Sequence, residues 1–561
     1  MLNDPEVAAR WSVFPRQHPN LLEHICALRQ LDYQALTPDF IHQLHDPNLL
    51  PGMKEARRVI KTAHKKKWHV TIFGDYDADG TPAAALLSTV LNQLGIDHQV
   101  ILPTREEGYG LRAEVVEKIA GQSQLLITVD TGVTAVEEIA LARQKGMAVI
   151  VLDHHLPKAE LPDAILIDPF LANSSYPFAN LCGCALAYKF AEALAEDFPS
   201  QLNEGFRKWL LDLVAISTVA DMMVMRGENR VLVHYGLQVL KKTRRPGLIA
   251  LMETAGLEPA KLSATSLGYV IGPRLNAAGR LSSNRPAFDL LMAKNLTDAR
   301  KLAEEIEQAN RTRQELVAEV TKEAEQLLVG QNSLEDRCLI IVKENWPAGV
   351  LGLVAGRLAS KYFRPTILLS DHDGRLTGSA RSVGDYSIID GLDSQKKQLL
   401  RYGGHRQAAG LALDKKNVIK FVDGLKAHAA QLISKDQLIP TFRAEAILTQ
   451  EEVTLEIAEL LEELQPYGLE NTNPLFIIQD VTLSEPKRLG AGGDHLKWSS
   501  TVGSTQLEII GFGLAKTWQK RPIGQAHLLG HLEVNTWQNR SRLQLRLIDF
   551  QPTDHPILTA A

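Results

Sequence analysis

The tightest constraint on how this chain can fold is a repeated junction between a strand-like apolar run and a group able to bind a metal. His69–Phe73, Leu125–Val129 and Ala148–Leu152 read as buried strands. They run into Gly74-Asp75-Tyr76-Asp77-Ala78-Asp79-Gly80, Asp130-Thr131-Gly132 and Asp153-His154-His155, respectively. A fourth carboxylate, Asp221, follows the more helical run Leu211–Val219. In an open parallel sheet the carboxyl ends of the strands share one crevice, so the first three segments are expected to converge there. Carboxylates gathered in one place repel each other and raise one another's pKa, which calls for a compensating cation. Hard oxygen ligands with one or two imidazoles suit Mg2+ or Mn2+. Two such ions roughly 4 Å apart form a site for phosphoryl transfer. The pattern points to metal-dependent phosphodiester chemistry.

The length of 561 residues suggests three or four domains, and the 45% hydrophobic content is that of a globular chain. No uncharged apolar run approaches the roughly 18 residues of a membrane span, and Met1–Phe14 has no apolar signal core. The four cysteines, Cys26, Cys182, Cys184 and Cys338, are too few for a disulfide framework and fit a reducing cytoplasm. Cys182-Gly183-Cys184 lacks a second ligand pair and reads as a buried helix start. A net charge of −5 does not mark a nucleic-acid binder, but charge is unevenly spread. Between Lys487 and Leu547, nine Lys and Arg face only Asp494, Glu508 and Glu533.

Strand-like and helix-like runs alternate from Met53 to about Val224, the pattern of a mostly parallel sheet. Thr81-Pro82 is expected to cap a helix over Ala83–Leu94. Asp298–Leu328 has helical spacing, with Thr297 as its cap. At about 46 Å it would be long for one domain, so it reads as an interdomain connector, with a coiled coil as the alternative. Strand Cys338–Val342, helix Val350–Tyr362 and strand Thr366–Leu369 form a second α/β block. Short strand-like runs after Phe442 suggest a small β-barrel, with Trp498, Phe512, Trp518 and Trp537 among the basic residues. Such aromatics grip single-stranded nucleic acid or fill a barrel core.

Each of these signals has an ordinary structural explanation when taken alone. The series Asp75, Asp77, Asp79 alternates if the segment is extended, and it resembles the start of a calcium loop. The Glu such a loop needs is replaced by Leu86, and the flanks are a strand and a Pro-capped helix. Gly272–Arg280 reads equally as a surface loop or a phosphate site with two guanidiniums. Gly403-Gly404-His405 reads as a glycine-rich turn able to cradle phosphate with its amides.

These segments resemble the DHH phosphoesterase superfamily and, within it, the RecJ family of single-strand-specific 5′ exonucleases. The likeness runs from about Pro51 to the C-terminus. It rests on Gly74–Gly80, Pro103–Leu111, Val129–Gly132, Asp153-His154-His155, Val219-Ala220-Asp221, Gly272–Arg280, Gly349–Leu358, Gly378–Ser382 and Gly403–Gly410. The implied fold is α/β: two α/β domains (DHH and DHH-associated) around a central cleft, joined by a long helix, plus a C-terminal OB-like β-barrel. The expected boundaries are a helical segment over 1–50, the DHH catalytic domain over 51–290 and the connecting helix over 291–332. The DHH-associated substrate-binding domain would cover 333–438 and the OB-like nucleic-acid-binding domain 439–561. The resemblance implies that Asp77, Asp79, Asp130, His154 and Asp221 ligate two Mn2+ or Mg2+ ions, with Asp75 and His155 as catalytic support or phosphate contacts. Arg274, Asn276, Arg280, Ser379, Arg381, Gly404 and His405 would hold the DNA strand, with Tyr109 near its 5′ end. Pro347 stands where the family usually has His, Val224 where proline is usual, and Asp168 where Asn is common; Cys184 fills a normally apolar or Gly position.

The resulting expectation is a cytoplasmic, monomeric 5′ to 3′ exonuclease hydrolysing single-stranded DNA to mononucleotides in repair and recombination. It would have no membrane contact and would work beside a helicase and a single-strand-binding protein. Its rivals are a DHH enzyme for short oligonucleotides or cyclic dinucleotides, a pyrophosphatase, and a non-catalytic single-strand-binding scaffold. The basic, aromatic tail argues against the small substrates, and the complete ligand set argues against the scaffold.

Overall fold

The computed structural model describes residues 9–560, less 105, 106, 109, 282, 283, 331, 332, 491, 521–523, 538 and 539. They form two compact units. One comprises Thr37–Arg313 and Gln465–Thr472; the other comprises Met1–Leu36, Gln314–Leu464 and Asn473–Ala561.

The first unit is built on a five-stranded parallel sheet, in the spatial order His98–Ile101, Val70–Gly74, Leu125–Val129, Ala148–Leu152, Ile165–Ile167. Every residue of Val70–Gly74 and Leu125–Val129 is buried, because helices cover both faces of such a sheet and both faces must be apolar. From Val70–Gly74 the chain crosses to the edge strand His98–Ile101, then returns to the opposite side at Leu125–Val129. The switch point, where connections diverge and leave a crevice, therefore lies at the ends of these two central strands. Three helices, Gly80–Gln93, Gly183–Leu194 and Leu211–Ala220, pack on one another near it.

Three local expectations are corrected here. The helix after the first strand begins at Gly80 rather than Ala83, and Thr81 does not cap it. The N-cap is Asp79, which makes no side-chain cap bond, and the turn before it is held by Asp77, whose Oδ1 accepts the amides of Asp79 at 2.8 Å and Gly80 at 2.9 Å. The Asp75–Asp79 segment is consequently a tight turn, not an extended run. Gly272–Leu281 is a helix rather than a loop, entered from a π-helical turn over Leu267–Ile271. The long helix spans Leu296–Gly330, 35 residues, and Asn295 rather than Thr297 caps it, its Oδ1 accepting the Asp298 amide at 2.9 Å. This helix continues from one unit into the other at residues 313 and 314.

In the second unit Leu339–Glu344 and Thr366–His372 pair in parallel, with helix Ala348–Tyr362 between them in sequence. Antiparallel strands Arg375–Arg381, Ala408–Asp414 and Leu399–His405 extend this sheet to five. Gly403-Gly404-His405 is thus part of an edge strand, not a turn. A seven-stranded sheet contains Phe476–Thr482, His495–Val502, Thr505–Gly511, Gln525–Trp537 and Arg540–Pro552. Trp498 packs edge to face on Trp518, which meets Phe550 at a tilt in its core, so the first two are structural, while Phe512 is 45% exposed. A strand absent from the sequence expectation, Arg10–Val13, pairs in parallel with both Thr441–Ala444 and Ile557–Thr559. None of the described helices is long and apolar enough to cross a membrane.

Candidate metal centre

At the switch point the chain delivers three overlapping groups of potential ligands. They are Asp75, Asp77 and Asp130; Asp79, His154 and Asp221; and Asp130, His154 and His155, with the ligand atoms of each group within 4.8 Å of one another. His154 is central: its Nε2 lies 3.0 Å from Asp130 Oδ1 and 3.8 Å from both Asp79 Oδ2 and Asp221 Oδ2. All seven acidic and imidazole residues expected at the centre are therefore brought together.

The backbone fixes them in place. Asp130 follows its strand with φ at +61°, a left-handed conformation that turns the carboxylate out of the sheet. Opposite, helix Gly183–Leu194 starts so close to Asp130 that a Cβ on Gly183 would stand 2.6 Å from the Asp130 Cβ. That approach lets the amides of Gly183 and Cys184 donate to the two Asp79 oxygens at 2.6 and 2.9 Å. The positive end of the helix dipole acts at the same point. Cys182 and Cys184 are fully buried, as expected of a helix start.

Burial and mutual repulsion raise the carboxylates of the group. Burial, followed by the charge of Asp77, raises Asp75 to about 8. Burial and the charges of Asp79 and Asp77 do the same for Asp221. Asp79 and Asp130 are also raised, chiefly by burial. The buried Oδ1 of Asp75 has no hydrogen-bond partner. Burial holds His154 below its usual value, leaving a neutral imidazole suited to ligation. His155 differs. Burial alone would lower it, but its Nδ1 lies 2.7 Å from Asp153 Oδ1, and that partner raises it to about 9.

Asp153 was not among the expected site residues, yet it organises much of the centre. It accepts the Val133 amide at 2.9 Å and the His154 amide at 2.8 Å as well as holding His155. The signal was its place in the Asp-His-His run. Asp168 was also missed as a contributor. It is fully buried, its Oδ2 has no partner, and burial pushes it up to about 7.

The expected DNA contacts fall into two sets. In the first unit Arg274 is engaged, its Nε 2.7 Å from Glu307 Oε2 and its Nη1 donating to the Val270 carbonyl at 3.0 Å. Asn276 is half-buried on the same helix. Tyr109 and the side chain of Arg280 lie outside the described residues. In the second unit Ser379 and Arg381 share one face of a strand, and the Arg381 partner Ala408 pairs in turn with His405. The side chain of Arg381 makes no ion pair among the described residues, and burial lowers its pKa. Gly404, at φ +145°, would place a Cβ 2.3 Å from the Ala408 carbonyl oxygen, so only glycine fits there. In the basic tail, Lys497 and Arg542 share Glu508, and Arg546 pairs with Glu533.

Carboxylates from two adjacent parallel strands and an Asp-His-His turn at the switch point define a DHH-type phosphoesterase centre, and comparison with known proteins agrees. Residues 69–218 match the DHH family N-terminal domain, 335–435 the DHHA1 domain and 444–549 the RecJ OB domain. The chain is 32% identical to the single-stranded-DNA-specific exonuclease RecJ of Haemophilus influenzae, over 96% of this chain and 97% of that protein. It is 33% identical to the Bacillus subtilis RecJ over 91% of this chain, but spans only 65% of that longer relative. The crystal structure of Thermus thermophilus RecJ in complex with Mn2+ matches over 98% of this chain and 80% of that one, with TM-score 0.82 and 26% identity. A Mg2+ complex of the same protein matches with TM-score 0.76. The chain belongs to the RecJ family.

Proposed function

We propose that this protein is a metal-dependent exonuclease that degrades single-stranded DNA from its 5′ end to mononucleotides. The observation that carries the reading is the cluster of buried, mutually repelling carboxylates with a partnerless oxygen on Asp75, in a chain similar to a RecJ that was crystallised in complex with Mn2+ and with Mg2+. The residues fit such ions: Asp77, Asp79, Asp130, His154 and Asp221 supply oxygen and imidazole donors, with Asp75 at the edge of the set. When bound, a pair of divalent ions supplies Lewis-acid polarisation of the phosphodiester and activation of water near neutral pH.

The protein's own groups do the positioning. The Gly183 and Cys184 amides hold Asp79 in one rotamer, and Asp153 fixes the ring of His155. Held protonated by Asp153, His155 is suited to act as a donor toward a phosphate oxygen or the leaving group. Arg381, with no carboxylate partner among the described residues, suits phosphate recognition, with Ser379, Gly404 and His405 on the same and neighbouring strands. Phosphate contacts carry no base information, so sequence preference should be small. The same reading takes the DHH domain as 51–290, the connector as 291–332, the DHH-associated domain as 333–438 and the OB-like domain as 439–561. It places a monomer in the cytoplasm beside a helicase and a single-strand-binding protein.

The test uses a long single strand labelled at its 5′ or its 3′ end, the matching duplex, and Mn2+. Immediate release of labelled mononucleotide from the 5′ end only, with the duplex spared and EDTA abolishing the reaction, is the expected result. Cleavage of dinucleotides but not of the long strand would move the protein to the small-substrate class.

A further inference from the structure

The helix Gly272–Leu281 bridges two parts of the metal centre. A Cβ on Gly272 would lie 3.0 Å from that of Ala220, the residue before Asp221, and one on Gly279 would lie 3.1 Å from the Tyr76 carbonyl oxygen of the Asp-rich turn. Arg274, on this helix, looks from sequence like the phosphate contact. In the structure its guanidinium is committed to Glu307 and the Val270 carbonyl. Glu307, on the long helix, also receives Arg311, whose Nε is 3.4 Å from Oε1.

Six residues beyond Glu307 on that helix, Arg313 has no carboxylate partner among the described residues. Its Nη2 donates to Asn310 Oδ1 at 2.8 Å, while its buried Nε has no acceptor. Asn310 is 1% exposed, and its Nδ2 is a second buried donor without an acceptor. Buried donors are nearly always satisfied, so two in adjacent side chains call for an acceptor that the described residues do not supply. The charge is unbalanced in the same sense: Glu307 pairs with both Arg274 and Arg311, and no ion pair among the described residues reaches Arg313. Burial, and then the charge of Arg274, hold Arg313 below the usual guanidinium value.

We propose that Arg313 and Asn310 form a phosphate-binding subsite for the substrate strand, one helix away from the metal centre. Its ligand is a backbone phosphodiester other than the one cleaved. The guanidinium and carboxamide donate to the phosphate oxygens. Arg274 acts as a positioning residue, holding Glu307 away from Arg313 so that the subsite stays cationic. The proposal rests on the exonuclease reading.

Binding of a fluorescent single strand in EDTA, without turnover, tests it over a range of salt concentrations. Arg313→Ala is expected to weaken binding uniformly across sequences. The slope of log affinity against log salt should become shallower by about 0.7, the signature of one lost phosphate contact on a single strand. Strands with one neutral methylphosphonate at successive positions locate the contact: wild type should lose affinity at a position where Arg313→Ala does not. Asn310→Asp gives Arg313 the missing anion, so it should melt above wild type and bind the strand more weakly. An unchanged salt slope and methylphosphonate profile in Arg313→Ala, or wild-type binding by Asn310→Asp, overturns the subsite alone. A wild type that binds no single strand overturns it together with the exonuclease reading.

Discussion

Asp130 has the most crowded carboxylate of the centre: burial and the charges of Asp79, Asp77, Asp75 and Asp221 all raise its pKa. Removing it takes away a ligand candidate and a source of repulsion together. Asp130→Asn is expected to lower hydrolysis more than about a hundredfold, beyond the cost of losing a merely supporting partner. The metal-free variant should melt at or above wild type, as a thermal scan in EDTA would show. Asp153→Asn should behave differently. It removes the partner that fixes His155, so activity should fall about 10- to 100-fold while metal is still bound. It also weakens the acceptor for three backbone amides, those of Val133, His154 and His155, at roughly 1–3 kcal/mol of stability. A variant that melts like wild type would show that Asp153 does not hold the turn.

The pH dependence of the metal-free protein follows from the same carboxylates. Asp75 and Asp221 titrate at about 8 in the fold, against roughly 4 in an unfolded chain. Between those values the folded state holds more protons, so their contribution to stability declines as pH rises from about 4 to 8. The gain in melting temperature on adding Mn2+ should therefore be larger at pH 8.5 than at pH 6. An equal gain at both would contradict the raised values.

At the scale of elements, the start of helix Gly183–Leu194 packs tightly against Asp130. Gly183→Ala should push the helix away from Asp79, costing about 1–3 kcal/mol of stability and most of the activity. Near-normal turnover in a folded Gly183→Ala protein would show that the amide pair does not matter. The central strands and the carboxylates at their ends were legible in the sequence because a doubly covered parallel sheet imposes an apolar run, and the run must end in the crevice. The hold on Asp79 was not legible, since it comes from amides 104 and 105 residues away that leave no composition signal. Gly272–Arg280 looked like a loop because its Gly, Pro and Asn are turn formers; packing against Ala220 and the Asp-rich turn overrode propensity. The strand Arg10–Val13 escaped notice because its partners lie more than 400 residues away.

Across the whole molecule, the order of DHH, DHHA1 and OB segments was readable from motifs and agrees with the family matches. Burial of the tail aromatics was only half readable, since a core Trp and a stacking Trp look alike in sequence. Trp498 and Trp518 belong to the core. What unites the residues and elements of the first unit is a fold that buries more negative charge than it neutralises, and its central claim is that divalent cations complete it. Calorimetric titration of Mn2+ into the metal-free protein near pH 7, in two buffers of different ionisation enthalpy, tests this most directly, because ligands that bind as anions must first lose their protons. The account predicts two ions per chain with net proton release, and loss of at least one ion in Asp130→Asn. Absence of Mn2+ binding, or binding with no protons released, would contradict it.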